Sequence, residues 1–345
     1  MESINHRIAS LEAAIATHLA EWEQPFVELA IHETSDASAI AQAIDAFCLR
    51  ELGSPAAEAL FYQSSVSAVV GVILTDGCRV VIKAHQPDRG EAHLRDVVRL
   101  QRHLAAAGLM APHVIAGPLP LGAGWATVEE YCVRGESRNG HESVVRRALA
   151  VGLHRVIHAL EPFVDRVNLR SAELPAHSLW PTPHSRLFDF DATTNGADYI
   201  DDLARAARGR MVPVGRRVIS HSDWRAEHVR FENDAISVAY DWDSLCASLE
   251  PAAVGATAHM FCADWSRNDV TQAPTLEEAR AFIADYELAR GQPFTHEERQ
   301  LCGGAFTFAV AYTARCGHAS GVDIRHLPGN HQHLIAAHGT GLLDL

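Results

Sequence analysis

Two short segments carry the side chains best suited to chemistry. One reads His221-Ser222-Asp223-Trp224-Arg225-Ala226-Glu227-His228, the other Asp241-Trp242-Asp243. Between them Val229 and Phe231 alternate with polar residues, Glu232-Asn233-Asp234 supplies turn formers, and Ile236, Val238 and Tyr240 alternate again. That pattern predicts a β-hairpin. A hairpin folds the chain back on itself, so Asp223, His228, Asp241 and Asp243 are expected at one end of a single unit. Carboxylates gathered in this way repel one another and call for a cation.

A further candidate comes from counting. The chain has 29 lysines and arginines together, and Lys83 is its one lysine. An ammonium is a compact point charge on a flexible stem, whereas a guanidinium is a wide planar fork. Where arginine serves almost everywhere, a retained lysine marks a position that needs the point charge.

The elements that must position these residues follow from periodicity. Ile4, Ile8, Leu11, Ile15 and Leu19 predict an amphipathic helix over 4–22 that packs on the main body. A second helix is expected over 36–52, with Ser35 or Asp36 as its cap and Gly53 and Pro55 as its stop. Short β runs follow at 56–64, 68–75 and 78–85, with Asp76-Gly77 as a hairpin turn and Lys83 near the end of the third. A helix over 91–107 ends at Gly108, and another β run covers 126–131. Beyond Ser143 the pattern is mainly helical: 144–160, 197–207, 252–264, 276–290, 296–316 and 331–338. A Pro- and Ser-rich loop spans 162–196, and a strand at 217–220 precedes the hairpin. His326, His331, His333 and His338 are read as a solvated tail. There are no internal repeats.

Composition bounds the possibilities. With 345 residues, 48% hydrophobic and 21% charged, the chain should form two lobes with full hydrophobic cores. We divide it into an N-terminal helical extension (1–55), a small β-rich lobe (56–131) and a large helical lobe (132–345). A net charge of −14 argues against a nucleic-acid partner, since phosphate backbones need a basic stripe. No run of 18 apolar residues is present, and the N-terminus lacks a signal-peptide pattern. Seven scattered cysteines without a C-x-x-C pair fit reduced thiols and a cytoplasmic location. The sequence leaves the oligomeric state open.

In this order of elements, the segment His221–Asp243 resembles the catalytic segment of the aminoglycoside phosphotransferase family, which shares the protein-kinase-like fold. The strand ending Val81-Ile82-Lys83, the helix after it and the acidic-aromatic connector Glu129-Glu130-Tyr131 fall in the family's order. The resemblance covers roughly residues 56–320 and implies an α+β bilobal kinase-like fold. Three departures stand out. His228 occupies the place where the family has an asparagine metal ligand, as in its macrolide phosphotransferase branch, and Arg225 replaces the second histidine of the pattern. The stretch expected over the phosphates, Gln63-Ser64-Ser65-Val66-Ser67, has no glycine.

The resemblance implies transfer of the γ-phosphate of ATP or GTP to a hydroxyl of a small molecule. The acceptor would be an aminoglycoside or macrolide antibiotic, or an amino-sugar-like metabolite. A nucleotide-binding module of weak catalysis is the alternative. Phosphoryl transfer is mostly positioning and charge neutralisation. Lys83 would hold the α- and β-phosphate oxygens, oriented by Asp96, with Glu91 as second choice. Glu130 and Cys132 would offer backbone groups to the adenine edge. Asp223 would receive or orient the hydroxyl proton. Asp241 and His228, with Asp243 in support, would bind Mg2+ or Mn2+, while His221 would shape the loop through backbone hydrogen bonds. The acidic balance points to a cationic or polyhydroxylated acceptor, met by Asp264, Asp269, Asp285 and Glu287 on the C-terminal helices.

Overall fold

The computed structural model describes residues 2–21 and 24–345, with side chains from Ile8 onward, and divides after Val133 into two compact units. The Ile4 side chain and the expected helix end at Trp22 lie outside the described residues.

The first unit opens with three helices, α1 (Glu2–Leu19), α2 (Phe26–His32) and α3 (Ala37–Phe47). Asp36 caps α3, its carboxylate accepting from the Ala39 amide at 2.7 Å, and a left-handed Gly53 ends the turn that follows. An antiparallel sheet comes next: β1 (Ala56–Ser64), β2 (Ala68–Leu74), β3 (Arg79–His85), β4 (Val114–Leu121) and β5 (Gly124–Glu130), in the order β1-β2-β3-β5-β4. Alternation sorts its faces. Val80, Ile82 and Ala84 are buried in one core with Val70, Val72, Ala126 and Val128, beneath Leu11, Ile15, Ile31, Ile40 and Phe47 of the three helices. Burying each large apolar side chain contributes about 1.5–3 kcal/mol, so the N-terminal helices are a layer of this unit. Lys83, opposite Val69 and Thr127, takes the other face of the central strand. That face carries α4 (Glu91–Ala106): Gln101 donates to the Glu129 carboxylate at 2.6 Å, and Glu129 shares a side with Val81 and Lys83.

The second unit is mainly helical: α5 (Ser143–Leu160), α6 (Asp198–Arg210), α7 (Glu250–Ala258), α8 (Leu276–Arg290), α9 (His296–Ala319) and α10 (His331–His338). Capping boxes, Thr275 with Glu278 and Thr295 with Glu298, start α8 and α9. Two strand pairs sit among the helices. β6 (Arg217–His221) pairs with β9 (Leu245–Leu249), and β7 (Val229–Glu232) pairs with β8 (Ala235–Ala239). The expected hairpin turn is present, with Asn233 and Asp234 both at positive φ.

The structure corrects three expectations. The helix expected to reach 264 stops at Ala258. The elements α2, β4 and β9 were absent from the sequence reading. His331 is buried, because Leu334 and Ile335 three and four residues on draw α10 against the body. Its ring donates to the His259 carbonyl at 3.1 Å. No helix among the described residues is long and apolar enough to cross a membrane.

Candidate functional site

The site in the second unit is built around a buried imidazole. His221, the last residue of β6, lies edge-on to Trp224 and Trp242, with ring centroids 5.6 and 5.4 Å away. Both indoles are buried and hydrogen-bonded, Trp224 to the Leu149 carbonyl of α5 and Trp242 to the Ala239 carbonyl at the end of β8. Gly152 of α5 permits this approach, since a β-carbon there would sit 2.9 Å from the Trp224 ring. His221 Nε2 donates to the Tyr240 carbonyl at 2.9 Å, and the Asp223 amide donates to Nδ1 at 3.2 Å. One neutral tautomer thus ties the loop after β6 to the end of the hairpin. This is the loop-shaping role expected of His221.

Three of the four residues expected at one end of the hairpin unit converge. One donor atom each of Asp223, His228 and Asp241 lies within 4.8 Å of the others. His228 Nδ1 donates to the Asp223 carbonyl at 3.0 Å, which puts the ring's lone pair on Nε2. Asp241 sits in the left-handed region, φ 65° and ψ 38°, and accepts from the Ser244 hydroxyl at 2.6 Å. Such a conformation costs a non-glycine residue on the order of 1 kcal/mol, and aspartate tolerates it better than most. The structure does not bring Asp243 into the group. Trp242–Ser244 form a 3₁₀ turn, which rotates successive side chains by about 120° and leaves Asp243 buried.

Arg225 is the feature that motif reading recorded only as a departure. Its Nη1 bonds Asp223 Oδ1, its Nε donates to Glu227 Oε2 at 2.8 Å, and its guanidinium lies 5.0 Å from the Trp265 ring centre. Asp223, Arg225 and Glu227 alternate acid, base, acid along the chain, and the turn and 3₁₀ helix of this segment bring both carboxylates to the one guanidinium.

The four acidic residues expected at an acceptor mouth are already engaged. Asp264 is buried and accepts from the Ser266 amide and hydroxyl, and Asp269 holds Arg267 at 2.9 and 2.6 Å. Asp285 lies 3.1 Å from Arg146 and 3.5 Å from Arg147. Glu287 holds Arg299 at 2.8 Å and the Phe294 amide at 2.8 Å. Only the last two lie on a helix.

In the first unit, Lys83 is partly buried in the central strand. Asp96 stands three and four residues from the buried His93 and Leu100 of α4, Glu91 stands three from the buried Leu94, and the Glu91 carboxylate bonds the exposed Arg95. The glycine-free turn after β1 is pinned by side chains. His18 of α1 accepts from the Ser64 amide at 3.1 Å, and Gln86 donates to the Val66 carbonyl at 2.7 Å. The Glu130 amide donates to the His113 carbonyl at 3.0 Å, and the Glu130 carboxylate accepts from the His113 amide. Cys132 follows the end of β5.

No family profile and no curated protein matches this sequence. Solved structures do match. The amicoumacin kinase hAmiN, in complex with AMP-PNP, Ca2+ and Ami, superposes with a TM-score of 0.54 at 10% identity, over 83% of this chain and 88% of that one. A putative aminoglycoside phosphotransferase from Ralstonia eutropha gives 0.52 at 12% identity, over 88% and 95%. An aminoglycoside phosphotransferase from Alicyclobacillus acidocaldarius gives 0.52 at 13% identity, over 83% and 90%. The chain therefore has the α+β kinase-like fold of these phosphotransferases, as the sequence resemblance implied.

Proposed function

We propose that the chain is a phosphotransferase that moves the γ-phosphoryl group of ATP or GTP onto a hydroxyl of a small molecule in the cytoplasm. The observation that carries this reading is the convergence of Asp223, His228 and Asp241 on the loops after β6 and β8. Asp241 and His228, with the Asp223 carboxylate beside them, are a donor set that fits Mg2+ or Mn2+. Bound there, the cation would neutralise charge on the nucleotide's phosphate oxygens.

The chain's own groups do the rest. Lys83 holds phosphate oxygens as a point charge, oriented by Asp96. Backbone groups near Cys132 meet the base edge, since the Glu130 amide is committed to His113. Asp241 and His228 are the principal metal ligands, and Asp243 supports them from behind. Asp223 orients the acceptor hydroxyl. As the new O–P bond forms, the hydroxyl proton passes to the Asp223 carboxylate. The γ-phosphorus bond to the bridging oxygen breaks, and its electron pair leaves with the nucleoside diphosphate.

The engaged acidic residues and the Arg225 cation beside Asp223 favour a polyhydroxylated acceptor over a strongly cationic one. Macrolide-like or sugar-like molecules fit that description, and an aminoglycoside fits through its hydroxyls. The Arg225–Asp223 bond also supports a second reading, a nucleotide-binding module with little turnover. Nucleotide consumption against a panel of aminoglycosides, macrolides, sugars and amino alcohols separates the two. Asp223→Asn should keep nucleotide binding and lose transfer by roughly 10²–10⁴-fold, the usual cost of removing a general base. Nucleotide binding without consumption by the wild type would select the second reading.

A further inference from the structure

We propose that Arg225 is the positioning residue of Asp223: it commits one carboxylate oxygen and thereby presents the other. Resting on the phosphotransferase reading, the proposal explains the departure from the family pattern at this position. Arg225 Nη1 holds Asp223 Oδ1, while Asp223 Oδ2 lies 3.5 Å from His228 Nδ1, on the side of the ligand cluster. A carboxylate with one oxygen gripped cannot turn about its last torsion, so Oδ2 keeps one direction.

The guanidinium is itself held. Glu227 takes its Nε at 2.8 Å, and the Trp265 ring lies beneath it at 5.0 Å. Backbone bonds bring these parts together. The Ala226 amide donates to the Phe261 carbonyl at 2.8 Å, and the Glu227 amide donates to the Ala263 carbonyl at 3.2 Å. The segment carrying Trp265 is thereby stitched to the segment carrying Arg225. A planar fork with several N–H groups can bond two carboxylates in its plane while its face lies on an indole. The pairs are partly buried, with Arg225 17% and Asp223 27% exposed, so solvent screens them less than a surface pair.

In a loose phosphoryl-transfer transition state the nucleophile needs orientation more than early deprotonation. The expected signature is a loss in kcat without a loss in nucleotide affinity.

The test uses the full chain in two arms. In the first, Arg225→Ala should lower kcat about 100-fold, the scale of an ångström-sized misplacement, with nucleotide KM within about twofold of wild type. Arg225→Lys should recover part of the loss, and millimolar guanidinium added to Arg225→Ala should recover part as well. In the second arm, Asp223→Ala, Arg225→Ala and the double variant are melted. The two Tm losses should be clearly non-additive. An Arg225→Ala kcat within twofold of wild type overturns the proposal. So does a kcat loss that neither lysine nor guanidinium relieves, which would mark a packing residue. Additive Tm losses overturn it too, and this arm needs no turnover. A wild type that transfers to no acceptor would defeat the phosphotransferase reading while the melting arm still decides on Arg225.

Discussion

At His228 the hydrogen-bond geometry selects the nitrogen that can meet a cation. Nδ1 is spent on the Asp223 carbonyl, and that bond also aims the ring. An imidazole prefers manganese to magnesium, whereas an amide oxygen suits the harder ion. His228→Asn should therefore shift the balance. The ratio of Mn2+-supported to Mg2+-supported kcat/KM is expected to fall by roughly tenfold or more, the usual scale for disturbing a ligand or its orienting partner. Turnover measured with each metal for both proteins checks this. An unchanged ratio would leave His228 as a loop-holding residue only.

The elements that carry the site are held by a second set of charges, at the junction of β9 and α7. Glu250 is fully buried and meets Arg216 at 2.7 and 2.8 Å, the Tyr286 hydroxyl at 2.7 Å and Arg290 at 3.2 Å. Burial alone would raise its pKa. The hydrogen bonds from Arg216 and Tyr286 and the two guanidinium charges outweigh that and hold it below the usual carboxylate range. Removing one partner of a buried ion pair strands the others, at a cost of roughly 3–5 kcal/mol. Glu250→Ala should lower the unfolding free energy from urea titration by that amount, and a loss under 1 kcal/mol would show that the pair is dispensable. None of this was legible in sequence, because Arg216, Tyr286 and Arg290 are far from Glu250 along the chain. The hairpin was legible, since Asn233-Asp234 tolerates two positive φ values between alternating strands. β9 was not, for Leu245-Cys246-Ala247-Ser248-Leu249 has no strong alternation or β-branched residue. β4 was masked by Pro118 and Pro120, which sequence reading treats as strand breakers. The meeting of Asp223, His228 and Asp241 was readable because the two segments flank one short hairpin. Motif spacing says nothing about the direction of a 3₁₀ turn, so it could not tell that Asp243 stands outside the group of Asp223, His228 and Asp241.

At the scale of the whole molecule, the charge of −14 and the 21 histidines set the response to acid. Two buried histidines carry the effect on stability. Burial pushes His331 down to about 4, only partly opposed by its bond to the His259 carbonyl. Burial, the neighbouring His331 and the Arg225 charge push His259 down to about 3 against the pull of the Ala256 carbonyl. For both, the folded pKa lies below the unfolded one. Their contribution to stability is therefore present above pH 6.5 and is lost as pH falls towards the folded values. For His331 the total is on the order of 3 kcal/mol, at about 1.4 kcal/mol per pH unit for one proton. Over the same range, protonation of two thirds of the histidines would cancel the net charge and remove the repulsion that keeps molecules apart. The chain should thus lose stability and solubility together as pH drops from 6.5 to 5. His331→Gln separates the two effects, because glutamine can donate to the same carbonyl without titrating. It should be somewhat less stable at pH 8, yet its stability should fall more gently below pH 6.5, by the slope of one proton. Urea midpoints at pH 8, 6.5 and 5 measure that slope for each protein, and parallel curves would mean that His331 takes up its proton without unfolding.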